Sequence, residues 1–221
     1  DHYPAPGDAG EVILVDMNSG KERVVATSYG WEMQVGANVQ WGASDEELFY
    51  NDVDTETWEA FAVKFNPLTG EKRRMEGTVF MSSLDGEKLI SYNLINSVHA
   101  QSGYGVIVPD SLTDYNVGPV DTDGIFVTDV KTGRCERLVT IKDIYENTQP
   151  SIKIPNPQDF AYYCFKIMWN PKRTRIMTLV QWTPLSGGRR KIAVITMLPD
   201  GTDMRTAITP DQYAKGGHHM A

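Results

Sequence analysis

Ile125-Phe-Val-Thr-Asp-Val-Lys-Thr-Gly133-Arg sets the pattern for the whole chain. A run rich in β-formers enters a polar turn that ends in Gly, and a charged residue opens the second run. Gly supplies the positive φ that a tight hairpin turn demands, so the stretch reads as two antiparallel strands around a turn. The same pattern recurs at Val12-Ile-Leu-Val-Asp-Met-Asn-Ser-Gly20-Lys, Phe61-Ala-Val-Lys-Phe-Asn-Pro-Leu-Thr-Gly70-Glu and Ile192-Ala-Val-Ile-Thr-Met-Leu-Pro-Asp-Gly201-Thr. The turn glycines are 50, 63 and 68 residues apart. Helical periodicity is almost absent, and short β-rich runs broken by Gly, Asn, Asp and Pro mark an all-β chain.

A second kind of hairpin lies between these: Val39 to Asn51, Phe80 to Tyr92 and Ile167 to Leu179. Two alternating hairpins make a four-stranded antiparallel unit, and a unit repeated at this length is a β-propeller blade. The chain then divides into an outer hairpin at 11–26, blades at about 39–76, 79–140 and 167–209, and the start of a further blade at 218. Three and a half blades do not close a ring. The expectation is a single domain that is part of a propeller of six to eight blades, whose remaining blades lie outside these residues.

Composition narrows the function. The 221 residues are 41% apolar, 10% aromatic and 23% charged, ordinary globular values. No apolar run approaches the roughly 18–20 residues of a membrane helix. The chain opens on Asp1 and shows no signal-peptide pattern. Its net charge of −8 argues against a nucleic-acid or anionic-membrane binder, which would need a basic face. Two cysteines, Cys135 and Cys164, exclude a disulfide-rich scaffold; two free buried thiols are preferred to one disulfide.

In a four-stranded blade the turns within hairpins lie on one rim, and the links between hairpins and between blades on the other. The glycine turns fall on the first rim, together with Arg173 and Arg175. The second receives the long segments 93–123 and 141–166, and long loops on a rigid scaffold tend to carry function. All four histidines, His2, His99, His218 and His219, fall on that second rim. His99 can move protons near neutral pH; otherwise it is a loop histidine tying backbone groups together. Arg189 and Arg190 follow Ser186-Gly187-Gly188 and offer forks that hold a carboxylate, though one of them is better read as a solvated turn. Tyr162 and Tyr163 precede the inner strand of the third blade. One should face the funnel as a proton donor or acceptor, the other the packed interior. Trp31, Gln34 and Gln40 suit the faces and hydroxyl edges of sugars. Trp41 and Trp169 occupy equivalent repeat positions and read as structural. Asp45-Glu46-Glu47 reads as a solvated turn. Gly216-Gly217 precedes His218-His219, and adjacent histidines ligate one metal only where the backbone is irregular.

The copies Trp169-Asn-Pro-Lys-Arg-Thr-Arg-Ile-Met-Thr-Leu-Val180 and Ser82-Ser-Leu-Asp-Gly-Glu-Lys-Leu-Ile-Ser-Tyr92, with Val127-Thr-Asp-Val-Lys-Thr-Gly-Arg-Cys-Glu-Arg-Leu138, resemble the WD40-like repeats of TolB-type propellers. With Gly216-Gly217-His218-His219, the chain also resembles the propeller polysaccharide lyases, oligogalacturonate lyase and ulvan lyase. That resemblance implies a secreted or periplasmic enzyme that cleaves a uronate-containing polysaccharide or oligosaccharide by β-elimination. Elimination needs a cation at the carboxylate, a base for the C5 proton and an acid for the leaving oxygen. The resemblance implies His99 and Tyr163 as base and acid and Arg190 as the cation. Trp31, Gln34, Arg189 and Tyr162 would bind substrate. His218 and His219 would hold a divalent metal (Mn, Ca or Zn). Gln212 stands six residues before His218, which departs from the metal-ligand spacing of oligogalacturonate lyase. The competing reading is a non-catalytic propeller that binds a protein or glycan. A glycoside hydrolase would want paired carboxylates, and the spacing of Glu32, Asp114, Asp121 and Asp123 does not recommend them.

Overall fold

The computed structural model describes residues 3–216. Strands β1 (Gly10–Val15) and β2 (Glu22–Ser28) form a two-stranded hairpin. Three four-stranded sheets succeed it, each antiparallel and in chain order. The first holds β3 (Gln40–Trp41), β4 (Leu48–Val53), β5 (Ala60–Phe65) and β6 (Lys72–Arg74). The second holds β7 (Met81–Ser82), β8 (Lys88–Tyr92), β9 (Gly124–Asp129) and β10 (Cys135–Thr140). The third holds β11 (Phe160–Trp169), β12 (Ile176–Pro184), β13 (Lys191–Met197) and β14 (Arg205–Ile208). Two short helices, α1 (Ile141–Asn147) and α2 (Pro210–Tyr213), lie in the links. Successive four-stranded meanders packed on one another are propeller blades, and the all-β architecture read from the sequence is the one observed.

The repeated turn has one physical basis. At Asp16 and Asn66 the side-chain oxygen accepts the backbone N–H groups two and three residues on, and the glycine that closes the turn adopts positive φ. A short polar side chain can thus stand in for a backbone turn. Because β2 leads into the first strand of the next sheet as β6 and β10 do, β1 and β2 take the place of third and fourth strands. No strand pairs with the outer edge of β1 among the described residues.

β11 differs from the pattern read in the sequence. It starts at Phe160, ahead of residue 167, and runs ten residues. The register shifts between Phe165 and Ile167, and Lys166 sits in the shift with φ 50°. A bulge lets the strand continue through a residue that breaks the alternation. Tyr162 and Tyr163 therefore lie within the strand, opposite Trp182 and Gln181.

Neighbouring sheets are joined by buried amides as well as apolar contact. Asn51 is 1% exposed; its Nδ2 donates to the Val79 carbonyl and its Oδ1 accepts the Val79 N–H, each at 2.7 Å. Gln40 bridges the same two sheets, donating to the Phe80 carbonyl and accepting from the Ser82 N–H. Its side chain is thereby committed to holding sheets together rather than to a sugar. Trp169 is nearly buried, whereas Trp41 is half exposed. On the rim of short turns, Arg173 reaches Asp85 and Glu87 of the preceding sheet, and Arg175 reaches Asp203.

Asn51→Ala leaves the Val79 N–H buried without a partner, while the Val79 carbonyl keeps the bond that Asn38 Nδ2 donates at 3.1 Å. Urea unfolding should show a loss of roughly 1–3 kcal/mol, the cost of one stranded backbone group. A loss within about 0.5 kcal/mol, the level of an indifferent surface change, would show that the clamp does not hold the sheets.

Candidate functional site: a cationic cleft beside a histidine-bearing loop

The link between β8 and β9 is the long insertion. It leaves β8, makes a 3-10 turn at Asn96–His99, returns through Gly103 and Gly105, and makes a second 3-10 turn at Asp110–Leu112. It then meets the start of β11, where Val117 and Gly118 bridge to Ala161. Four residues of other links and strands fix it. Glu32 accepts the Gly105 N–H at 2.9 Å, and the Gln34 N–H donates to the Gly103 carbonyl at 3.1 Å. Gln181 Nε2 donates to the Ala100 carbonyl at 2.5 Å, and Arg190 donates to the Ala100 carbonyl and to Gln101 Oε1.

A cleft of about 600 Å³ opens beside this insertion. Phe165, Leu179 and Ile192 of the third sheet line it with apolar surface, and α2 contributes Pro210, Asp211 and Tyr213. Gln101 reaches in from the insertion. Four cations also line it: Lys166, Arg189, Arg190 and Lys191, against one carboxylate, Asp211. Among the described residues none of the four is in an ion pair. Lys166 instead lies over the rings of Tyr104 and Phe165, at 5.4 and 5.7 Å. Apolar walls with convergent cations in a chain of net charge −8 form a local site for an anion.

His99 sits on the first 3-10 turn. Its ring lies 3.9 Å from that of Tyr115 and 6.4 Å from that of Tyr163, centroid to centroid. Its Nε2 is 2.9 Å from Thr113 Oγ1, and the Thr113 hydroxyl donates its only proton to the Asp110 carbonyl. The imidazole must therefore donate from Nε2, which leaves Nδ1 as the nitrogen free to take a proton in the neutral ring. Burial holds the His99 pKa below its ordinary value, against the opposing pull of Asp110 and Asp114. Behind it lies a buried polar group: Asn116 Nδ2 donates to Asp123 Oδ2 at 2.7 Å, and Asn96 Oδ1 accepts the Asp114 N–H at 2.9 Å. Burial raises the Asp123 pKa, with the bonds from Asn116 and Gly124 opposing it.

The two tyrosines take positions that the sequence leaves open. Both are buried. Tyr162 stacks on Trp182 and meets Tyr145 edge-on, inside the apolar core, so it is not placed to bind substrate. Tyr163 faces His99, but its hydroxyl is buried, and burial pushes its pKa well up against the opposing hydrogen bond from the Asn116 backbone. The accessible phenol beside His99 is Tyr115, 64% exposed. It stands sixteen residues from His99 across an irregular loop, which carries no periodic signal to find it by.

Trp31 packs over Gly10 and donates its indole N–H to the Asp8 carbonyl at 2.8 Å, which seals the first hairpin. The Gln34 side chain is exposed and lies against Gly103. Arg189 is exposed and Arg190 half-buried, both in the cleft wall. His2, His218 and His219 lie outside the described residues. Among the described residues no group of three or more His, Cys, Asp or Glu side chains stands together as a metal site. The direct contacts of His99 are a hydroxyl and two phenol rings, and Asp110 and Asp114, which act on it, do not gather with it into a metal site among the described residues. Both cysteines are free thiols, Cys164 buried and Cys135 partly so, and burial raises the pKa of each.

No protein-family description matches the sequence, and no curated protein resembles it. Among solved structures, TolB from Acinetobacter baumannii is similar over 86% of this chain and 46% of its own, with 10% identity and a TM-score of 0.43. Oligogalacturonate lyase in complex with manganese is similar over 90% of this chain and 44% of its own, with 15% identity and a TM-score of 0.45. The apo AtxE2 isopeptidase is similar over 91% and 47%, with 9% identity and a TM-score of 0.33. The chain spans less than half the length of each. Its own sheets define a propeller-type chain, with a cation-lined cleft on the rim of long links.

Two titrations test this electrostatic picture. The His99 ring signals, assigned by their loss in His99→Gln, should titrate with a midpoint below the ordinary value of about 6.5 in NMR spectra. A midpoint above it would show that the neighbouring carboxylates outweigh burial. Glu32 is 1% exposed, and burial pushes its carboxyl up to about 7. A carboxyl whose pKa is raised on folding takes up a proton, so its stability is full below the unfolded value and is lost as pH rises through the folded one. Glu32→Gln should therefore stabilise the protein at about pH 8 and change little at about pH 4, read as unfolding midpoints. Equal shifts at both would show that Glu32 stays ionised in the fold.

Proposed function

We propose that the cleft binds the carboxylates of a uronate-containing polysaccharide or oligosaccharide, and that the reaction served is β-elimination. The observation that carries this reading is the convergence of Lys166, Arg189, Arg190 and Lys191 on one apolar-walled cleft. Guanidinium and ammonium groups at a uronate carboxylate stabilise the charge that develops as the C5 proton leaves, which makes that proton removable. In the step, the C5–H bond breaks, its electrons form the C4–C5 double bond, and the C4–oxygen bond breaks with protonation of the departing sugar. His99, kept neutral by its surroundings, supplies a base at Nδ1. Tyr115 replaces Tyr163 as proton donor, because its hydroxyl can reach solvent and substrate.

A divalent metal at His218 and His219 remains an expectation from the resemblance, and no step above depends on it. The same holds for a secreted or periplasmic location. We also propose that the open edge of β1 receives the inner strands of its own blade from residues beyond these 221. The two-strand sheet where the others have four supports this.

A second reading, a propeller that holds a glycan or protein without chemistry, draws on one observation: the His99 ring is not among the groups lining the cleft. The two are separated by incubating the protein with ulvan, polygalacturonate, alginate and glycosaminoglycans and monitoring ultraviolet absorbance of the unsaturated uronate. The lyase reading expects a rise with one polymer, abolished in His99→Gln and lowered roughly tenfold or more in Arg189→Ala, as for loss of a charge-assisted bond. Binding with no absorbance change, with or without Mn²⁺, Ca²⁺ or Zn²⁺, would support the binding propeller. No binding to any polymer would overturn both.

A further inference from the structure

We infer that residues 99–101 are a built-in occupant of the carboxylate subsite at Arg190, displaced when an acidic ligand enters. This rests on the reading of the cleft as a carboxylate site. Arg190 Nη1 donates to the Ala100 carbonyl at 3.3 Å, and Nη2 donates to Gln101 Oε1 at 2.9 Å. Two oxygens from adjacent residues thus meet the two ends of one guanidinium fork, the arrangement in which a carboxylate is bound. Both are neutral acceptors. A ligand carboxylate makes the same two hydrogen bonds and adds the attraction of opposite charges, so it outcompetes them.

The groups beneath the segment support displacement rather than a permanent tether. Tyr163 and Gln181 form a cross-strand pair on β11 and β12. Gln181 Oε1 is buried with no partner, although Gln181 Nε2 is bound to the Ala100 carbonyl. An acceptor left unsatisfied beside the Ala100 contact makes the covered state costly, and lifting the segment returns it to water or ligand. The segment also has pivots. Gly103 and Gly105 have φ of +83° and +95°. A Cβ on Gly105 would stand 2.6 Å from the Val98 nitrogen, so the close return there is open only to glycine. Anchors at the base, Glu32 to Gly105 and Gln34 to Gly103, hold the insertion in place while residues 99–101 move.

The test is hydrogen–deuterium exchange of the full chain, read over residues 96–105, with a galacturonate oligosaccharide and with polyglutamate, a carboxylate polymer that contains no sugar. Either ligand, when bound, should speed exchange there several-fold. Gln101→Ala removes one competing acceptor and should tighten binding roughly two- to tenfold, about one hydrogen bond's worth. Arg190→Ala should speed exchange without ligand and make it insensitive to ligand. Oligosaccharide binding with exchange unchanged or slowed, or Gln101→Ala weakening binding, overturns the displacement and leaves the sugar reading standing. Faster exchange with polyglutamate but no binding of oligosaccharide does the reverse. No effect of either polymer sinks both.

Discussion

Antiparallel pairing in chain order sends every second connection to the same rim, and the rest of this structure depends on that constraint. Turns within hairpins are short, and those at Asp16 and Asn66 are closed by an acceptor side chain with Gly, so their rim is spent on geometry and on ion pairs such as Arg173 with Asp85. The other rim is free to lengthen. The insertion between β8 and β9 can therefore cross to the third sheet and touch Gln181 and Arg190 without disturbing either ladder. The rigid ladder of the third sheet holds the far ends of those contacts in place, with Gln181 inside β12.

Charge is distributed against the average. A chain of net charge −8 gathers four cations in one cleft and gives them no ion-pair partners among the described residues. Elsewhere Arg74 is matched by Asp54 and Glu59, and Arg175 and Arg205 by Asp203. Exposed pairs of that kind contribute little stability. Cations set together on apolar walls repel one another, and that arrangement is relieved when an anion binds. Arg190 differs from the other three, since two neutral oxygens already occupy its fork.

Much of the fold is legible in the sequence because it is local. The recurrence of a β-run, a polar turn and Gly is a short-range signal, and the hairpin and sheets obey it. The assignment of Arg173 and Arg175 to the opposite rim rests on alternation alone, and their partners lie there. The site is legible only in part. Adjacent residues on a strand point to opposite faces, which predicts that Tyr162 and Tyr163 differ in surroundings, and they do. The turn whose His99 ring faces Tyr163 lies more than sixty residues upstream in sequence, a tertiary fact with no local trace. Trp31 reads as free to stack on a sugar because Gly10, which it covers, and Asp8, which it bonds, lie in a segment that shows no pattern by itself.

The function proposed for this chain stands or falls on whether the cation cleft seats a uronate. The direct measurement is a structure of the chain with a bound galacturonate oligosaccharide. The expected result is a sugar carboxylate within hydrogen-bond distance of Arg189 or Arg190, with the pyranose against Phe165 and Ile192. A sugar bound instead on the rim of short glycine turns, or a carboxylate held away from all four cations, would contradict it.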